Sequence, residues 1–199
     1  MRMLILGATG GTGVQLTAQA LARGHRVTVL VRTAGKLPAH ARCHEVLGDP
    51  RDAAQLAAIM AGHDAVLSTL GTAREPTTLL GDCARSTVDA MLRTGVRRIV
   101  LVSSALLFRD IGLIGRVVRL FFRHNLADSL VMEGEAAHGA LDWTVVRPPR
   151  LLDGAATGIY RISQQAPPAG SITRADLATS ILDIVERSQH FGEVIGVSR

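Results

Sequence analysis

Chemistry concentrates at the start of the chain, in Gly7-Ala8-Thr9-Gly10-Gly11-Thr12-Gly13. An apolar run, Arg2 to Leu6, leads into these residues, and apolar positions at 14, 16, 18, 20 and 21 continue as a helix would until Gly24. A glycine-rich turn between a strand and a helix can cradle a pyrophosphate. Gly7 permits the tight turn, Gly10 lets backbone approach the anion, and Gly13 lets the helix pack close to the strand. The helix start then offers unpaired N–H groups and the positive end of its dipole. The spacing is G-x-x-G-x-x-G, not the commoner G-x-G-x-x-G, so the strand–loop–helix setting carries the reading; the plain alternative is a structural turn.

A second strand-like run, Arg26 to Val31, ends at Arg32. A dinucleotide with a free 2′-hydroxyl wants an acid about 20 residues past the loop. No Asp or Glu occurs between Gly13 and Glu45. A carboxylate there would repel a 2′-phosphate, whereas a guanidinium binds one through two parallel bonds. Arg32, helped by Lys36, therefore points to NADP over NAD, with a solvated arginine as the alternative.

Other candidates sit at the ends of later strands. Asp49 could accept from an adenine amine or cap the helix that begins near Asp52. Leu70 and Gly71 close the fourth strand, where backbone beside a cofactor ribose is expected. Ser103 and Ser104 close the central strand, at the edge where open α/β sheets bind ligands; the plainer role for such a serine is a cap. His40, Cys43 and His44 are metal-ligand types, but they straddle a loop and a strand start with no fourth ligand nearby, so no metal is expected.

These residues need a frame. Short apolar runs at Arg2–Leu6, Arg26–Val31, Cys43–Leu47, Ala65–Leu70, Arg98–Val102, Asp142–Val146 and Val194–Val197 alternate with helical stretches. Those stretches run from Val14 to Arg23, Asp52 to Ala61, Thr77 to Thr94 and Thr173 to Arg187, three of them closed by Gly24, Gly62 or Gly95. Such alternation indicates βαβ units around a parallel sheet covered on both faces. One doubly wound α/β domain over 1–199 is expected.

The 199 residues are 47% hydrophobic and 20% charged, which excludes disordered, collagenous and coiled-coil classes. Two cysteines are too few for a disulfide scaffold and suit a reducing compartment. The amino-terminal apolar run is too short for a secretory signal, and no run is long enough to span a bilayer, so a cytoplasmic protein without stable membrane insertion is expected. The net charge is +5, and of 22 basic residues only Lys36 is a lysine. No basic run interleaved with aromatics appears, so nucleic acid is not an expected partner.

The loop from Gly7 to Gly13, Val31-Arg32, Gly48-Asp49 and Trp143-Thr144-Val145-Val146-Arg147-Pro148 together resemble the atypical short-chain dehydrogenase/reductases of the NAD(P)H-binding, NmrA-like superfamily. Ser103-Ser104-Ala105-Leu106-Leu107, Val131-Met132-Glu133, Thr157-Gly158-Ile159-Tyr160 and Ile172-Thr173-Arg174-Ala175-Asp176-Leu177 are similar to its flavin reductase/biliverdin-IXβ reductase group. The resemblance spans essentially the whole chain and implies a Rossmann-like fold. It implies that Ser104 lies near the nicotinamide and substrate, and that the Arg147-Pro148 turn meets the nicotinamide amide through its backbone. Where that group has a histidine after the methionine, this chain has Glu133. Glu133 could act as the acid if burial raised its pKa; otherwise it occupies a solvated helix face.

Typical short-chain reductases protonate a carbonyl with a Tyr-x-x-x-Lys pair. Here the sole tyrosine, Tyr160, is followed four positions on by Gln164, and the sole lysine is Lys36. Hydride transfer then suits an acceptor that spreads the added charge itself: a flavin such as FMN, a quinone or a linear tetrapyrrole. An NADPH-dependent reductase of such a small-molecule acceptor is the first expectation, with Ser104 and Glu133 as candidate catalytic residues. A non-catalytic NADP(H)-binding redox sensor is the second. A segment over 106–126, with Phe108, Phe121 and Phe122 among Arg109, Arg116, Arg119 and Arg123, reads as a lid whose arginines could meet acceptor anions. Ordinary core or dimer packing and a basic helix on an anionic membrane are the rivals. The oligomeric state, monomer or dimer, is left open.

Overall fold

The computed structural model describes residues 1–37, 42–71, 78–164 and 170–199. Strands β1 (Arg2–Leu6), β2 (Arg26–Val31), β3 (His44–Leu47), β4 (Ala65–Ser68), β5 (Arg98–Val102) and β6 (Asp142–Arg147) pair in parallel. Three short strands, β7 (Arg150–Leu152), β8 (Arg161–Ser163) and β9 (Ser171–Thr173), precede the last, β10 (Glu193–Ser198). The sheet order is β3-β2-β1-β4-β5-β6-β10-β8, with β8 antiparallel at one edge, while β7 and β9 form a separate parallel pair. This is the doubly wound, Rossmann-like arrangement that the alternation of runs predicts. The three short strands were not anticipated, because three residues are too few to show a period.

The helices are α1 (Gly11–Ala22), α2 (Ala53–Met60), α3 (Leu79–Thr94), α4 (Gly112–Phe121), α5 (Arg123–His138) and α6 (Arg174–Glu186). Each face of the sheet has its own core. Met3, Ile5, Val29 and Val100 pack with Leu16 of α1 and Leu177, Ile181 and Val185 of α6. Leu4, Leu6, Ile99 and Val145 pack on the other side with Leu56, Met91 and Met132 from α2, α3 and α5. Strands covered on both sides must be apolar throughout, which is why β1, β2 and β4 do not alternate. The helix at Val14 begins three residues earlier than its apolar pattern, since Gly11, Thr12 and Gly13 already form its first turn. Asp52 caps α2 by accepting from the Gln55 N–H at 3.0 Å, and Gly95 ends α3 in the left-handed conformation that only glycine adopts freely.

Segment 106–126 divides. A single 3-10 turn (Ala105–Leu107) buries Ala105, and Phe108 beyond it is also buried, but α4 contributes no buried residue at all. Core packing is thus overturned as the role of α4. Arg119 fastens it to the body by donating to the carbonyls of Leu106 and Phe108.

Candidate active site

The glycine loop lies where β1 meets α1. Gly7 has φ +80°, and a Cβ there would come within 2.8 Å of the Thr69 carbonyl and the Leu70 nitrogen at the end of β4. A Cβ on Gly13 would lie 2.1 Å from the Gly7 carbonyl oxygen and 2.7 Å from the Ala8 Cα, so only a bare helix turn fits against this loop. Gly10 is the N-cap of α1, with no side-chain cap and no acid in the first turn. The leading amides are therefore left for an external acceptor, next to Gly10 and Gly11, which are exposed. These features fit a pyrophosphate.

Gly11 has a reason of its own. A Cβ at this position would meet Cδ and Nε of Arg174 at 2.7 and 2.8 Å. Arg174 starts α6, and its guanidinium pairs with the exposed Asp153 at 2.6 Å. Asp176 fixes this corner. Its carboxylate accepts from the amides of Thr157 and Gly158 at 2.7 and 2.9 Å, and the Thr173 hydroxyl caps α6. Arg174 thus overhangs the glycine loop from a distant part of the chain. Its residue type and spacing carried no signal of this, because its partner glycine lies at the other end of the sequence.

Arg32 and Lys36 are both exposed beyond the end of β2. Asp49 stands nearby and is committed. It accepts from the Arg51 Nε and Nη2 at 3.0 and 2.6 Å, and Arg51 holds its carboxyl down at about 2, with Arg32 adding to this through its charge. The cap reading of Asp49 is overturned, since Asp52 caps α2; the Asp49 carboxylate pairs with Arg51 and stays partly exposed.

A cavity of about 330 Å³ opens between the loop and the carboxyl ends of the central strands. It brings together Thr12, Leu70, Gly71, Ser103 and Ser104, five of the residues singled out in the sequence. Leu106, Phe122, Asn125 and Leu126 in its walls belong to segment 106–126, expected to cover the site, whereas Leu80, Ser129 and Leu151 carry no signal in the sequence. Leu80 comes from α3, Leu106, Phe122, Asn125, Leu126 and Ser129 from segment 106–126 and α5, and Leu151 from β7. Among the described residues no arginine lines the cavity. A larger groove, about 790 Å³, runs between α3 and α5 but shares no residue with the glycine loop. We place the site in the smaller cavity because cofactor-type backbone and serine hydroxyls converge there.

Beneath the cavity lies a buried ionic cluster. Glu133 on α5 is 8% exposed, which corrects its placement on a solvated face. Its Oε1 accepts from Arg147 Nε at 3.0 Å and from the Ser103 hydroxyl at 2.5 Å, and its Oε2 accepts from Arg147 Nη2 at 2.5 Å. The Arg147 guanidinium also stacks on the Phe108 ring, 5.0 Å from its centre. Glu133, Arg147 and Pro148 do not line the cavity. Both carboxylate oxygens of Glu133 are therefore occupied by donors of the protein itself. Ser103, whose hydroxyl hydrogen goes to Glu133, can only accept from a ligand, whereas Ser104 accepts from the Leu106 N–H at 3.3 Å and keeps its own hydrogen to donate. Pro148 is tied through its carbonyl to the Ala105 N–H at 3.0 Å.

Tyr160 takes no part in the cavity; its hydroxyl donates to Asp183 on α6 at 2.7 Å. Burial and this bond push its pKa up to about 12. As the only tyrosine it can be titrated alone, and its phenolate band is expected to rise with a midpoint near 12 rather than ~10. Between those values the unfolded chain has lost the proton and the folded one keeps it, so stability falls as pH rises. A midpoint near 10 would mean that the bond to Asp183 is absent in solution. His40 lies outside the described residues, and among these no group of three or more His, Cys, Asp or Glu is placed to hold a metal.

Known proteins of similar sequence and structure share this fold. YwnB, an uncharacterised protein of Bacillus subtilis, is 26% identical over 97% of this chain and 96% of its own length. The solved structure of ChuY, an anaerobilin reductase from Escherichia coli O157:H7, superposes with a TM-score of 0.87 at 25% identity, covering 100% of this chain and 97% of that one. A short-chain dehydrogenase/reductase from Veillonella parvula, crystallised with NADP, shares the fold at a TM-score of 0.80 and 20% identity, covering 100% and 94%. With the family model for NAD(P)H-binding proteins matching residues 7–188, the chain belongs to that NAD(P)H-binding family.

Proposed function

We propose that the protein is an NADPH-dependent reductase of a flat, conjugated, small-molecule acceptor. The observation that carries this reading is the cavity itself. It begins at Thr12 on the phosphate loop, passes the two serines at the end of β5, and is walled mainly by Leu70, Leu80, Val102, Leu106, Phe122, Leu126 and Leu151. An apolar slot with a few convergent hydroxyls suits a planar ring system. NADPH, when bound, supplies the hydride. The leading amides of α1 and the Arg174 guanidinium would hold the pyrophosphate, and the Ser103 oxygen would be an acceptor for the nicotinamide end. Ser104 donates a hydrogen bond to the acceptor, which takes its proton from water. A quinone, the isoalloxazine of a flavin such as FMN, or a tetrapyrrole meets these terms, and the likeness to an anaerobilin reductase supports the last class.

The test offers NADPH with FMN, a soluble quinone and biliverdin separately and follows nicotinamide oxidation. Turnover with one of them is expected. Tight NADPH binding without turnover on any would favour the second reading, a redox sensor of NmrA-like type, for which the exposed apolar face of α4 speaks.

Arg32 and Lys36, exposed at the end of β2, are assigned to the 2′-phosphate. Losing a charge-assisted pair costs about 1.5–3 kcal/mol. Arg32→Ala is therefore expected to weaken NADPH binding about 10- to 100-fold and leave NADH unchanged, read by fluorescence titration of both. Equal weakening of the two coenzymes would show that Arg32 does not sense the phosphate.

A further inference from the structure

Helix α4 is inside out. At 3.6 residues per turn, Leu113, Ile114, Val117, Leu120 and Phe121 fall within one arc of about 120°. An amphipathic helix of a globular protein turns such a stripe to the core. Here Arg119, on the opposite side of the helix, faces the body and bonds the carbonyls of Leu106 and Phe108. The apolar arc faces away: Leu113 is 80% exposed, Ile114 83% and Phe121 82%. A contiguous apolar stripe of this kind is kept exposed where something else covers it.

Charge identifies what covers it. Arg109, Arg116 and Arg123 are exposed around the stripe, and among the described residues none pairs with a carboxylate. Across 106–126 the only acidic residue is Asp110. A second copy docking through a two-fold axis would set this patch on itself, arginines against arginines. A negatively charged lipid surface supplies the opposite charge and an apolar layer for the stripe. We propose that α4 docks the protein on anionic membranes, lying in the interface with Leu113, Ile114, Val117, Leu120 and Phe121 among the acyl chains and the arginines at the phosphates. Phe122, next along the chain, lines the cavity, so docking holds the mouth of the site against the lipid. This inference concerns the surface alone and stands whether or not the acceptor reading holds.

Co-sedimentation with vesicles of equal parts phosphatidylglycerol and phosphatidylcholine tests it against vesicles of phosphatidylcholine alone. Binding to the anionic vesicles is expected, at least tenfold weaker on neutral ones and reduced by high salt. Ile114→Asp combined with Phe121→Asp is expected to abolish it, and Arg116→Glu to weaken it more than fivefold. All three positions are exposed and outside the cavity, so NADPH affinity and melting temperature stay unchanged and report that the variants are folded. Absence of binding to anionic vesicles overturns the proposal, as does unchanged binding of the Ile114→Asp/Phe121→Asp protein. A dimer that this double variant dissolves, without vesicle binding by the parent, would assign the stripe to a second copy and overturn it too. None of these readouts involves turnover, so they are separate from any failure of the reductase assay.

Discussion

Gly13→Ala is expected to remove NADPH binding, with affinity lower by at least two orders of magnitude, and to lower the melting temperature. The added methyl would sit 2.1 Å from the Gly7 carbonyl oxygen and 2.7 Å from the Ala8 Cα. Both are backbone atoms of the loop proposed to receive the pyrophosphate, so no side chain can move aside, and the helix start has to retreat from the strand. Gly11→Ala is the control. Its methyl would meet only the Cδ and Nε of Arg174, a flexible side chain that can swing away. Its effect is expected to be smaller than that of Gly13→Ala and at most the roughly 10- to 100-fold of one lost charged contact. Fluorescence titration with NADPH and thermal unfolding of both variants make the comparison. NADPH binding by Gly13→Ala at the parent's strength would remove the loop from the cofactor site.

Glu133→Ala is expected to cost more stability than any other single change at the site. The Glu133–Arg147 pair is buried on both sides, 10% and 12% exposed at the side chains. Removing one partner leaves a guanidinium stranded between Phe108 and the sheet, which typically costs about 3–5 kcal/mol. For a domain of this size that corresponds to a fall of roughly 10 °C in Tm. Replacing the pair with apolar residues, Glu133→Leu with Arg147→Met, is expected to recover much of the loss, because desolvation of two ions is then avoided. Glu133→Gln preserves the shape and separates stability from catalysis. Its turnover is expected to remain within a few-fold of the parent below its melting temperature. Loss of turnover in a folded, NADPH-binding Glu133→Gln protein would return the acid role to this residue.

These two expectations mark different degrees of legibility. The role of Gly13 could be read from the chain, since the glycine spacing and its place between an apolar run and a helix are local facts. The core strands and most helices were equally legible, because burial on both faces forces continuous apolar runs, and glycine ends helices through a conformation other residues resist. The role of Glu133 could not be read. Nothing in Val131-Met132-Glu133 tells that the carboxylate turns inward. Its partner lies on β6 and its other donor at the end of β5, and only the sheet order brings these together.

The same divide runs through the rest of the site. Local pattern was enough for a doubly wound domain, a glycine-rich turn between the first strand and helix, an exposed arginine after the second strand, and serines at the end of the central strand. Each depends on neighbours a few residues apart, where backbone geometry leaves little choice. Folding alone decided that Arg174 overhangs Gly11, that Asp49 is held by Arg51, and that α4 turns its apolar face outward. Periodicity states how wide a helix's apolar stripe is but not which way it points. Direction is set by what the opposite face bonds to, and here that is Arg119 on two carbonyls of a turn it reaches only in three dimensions.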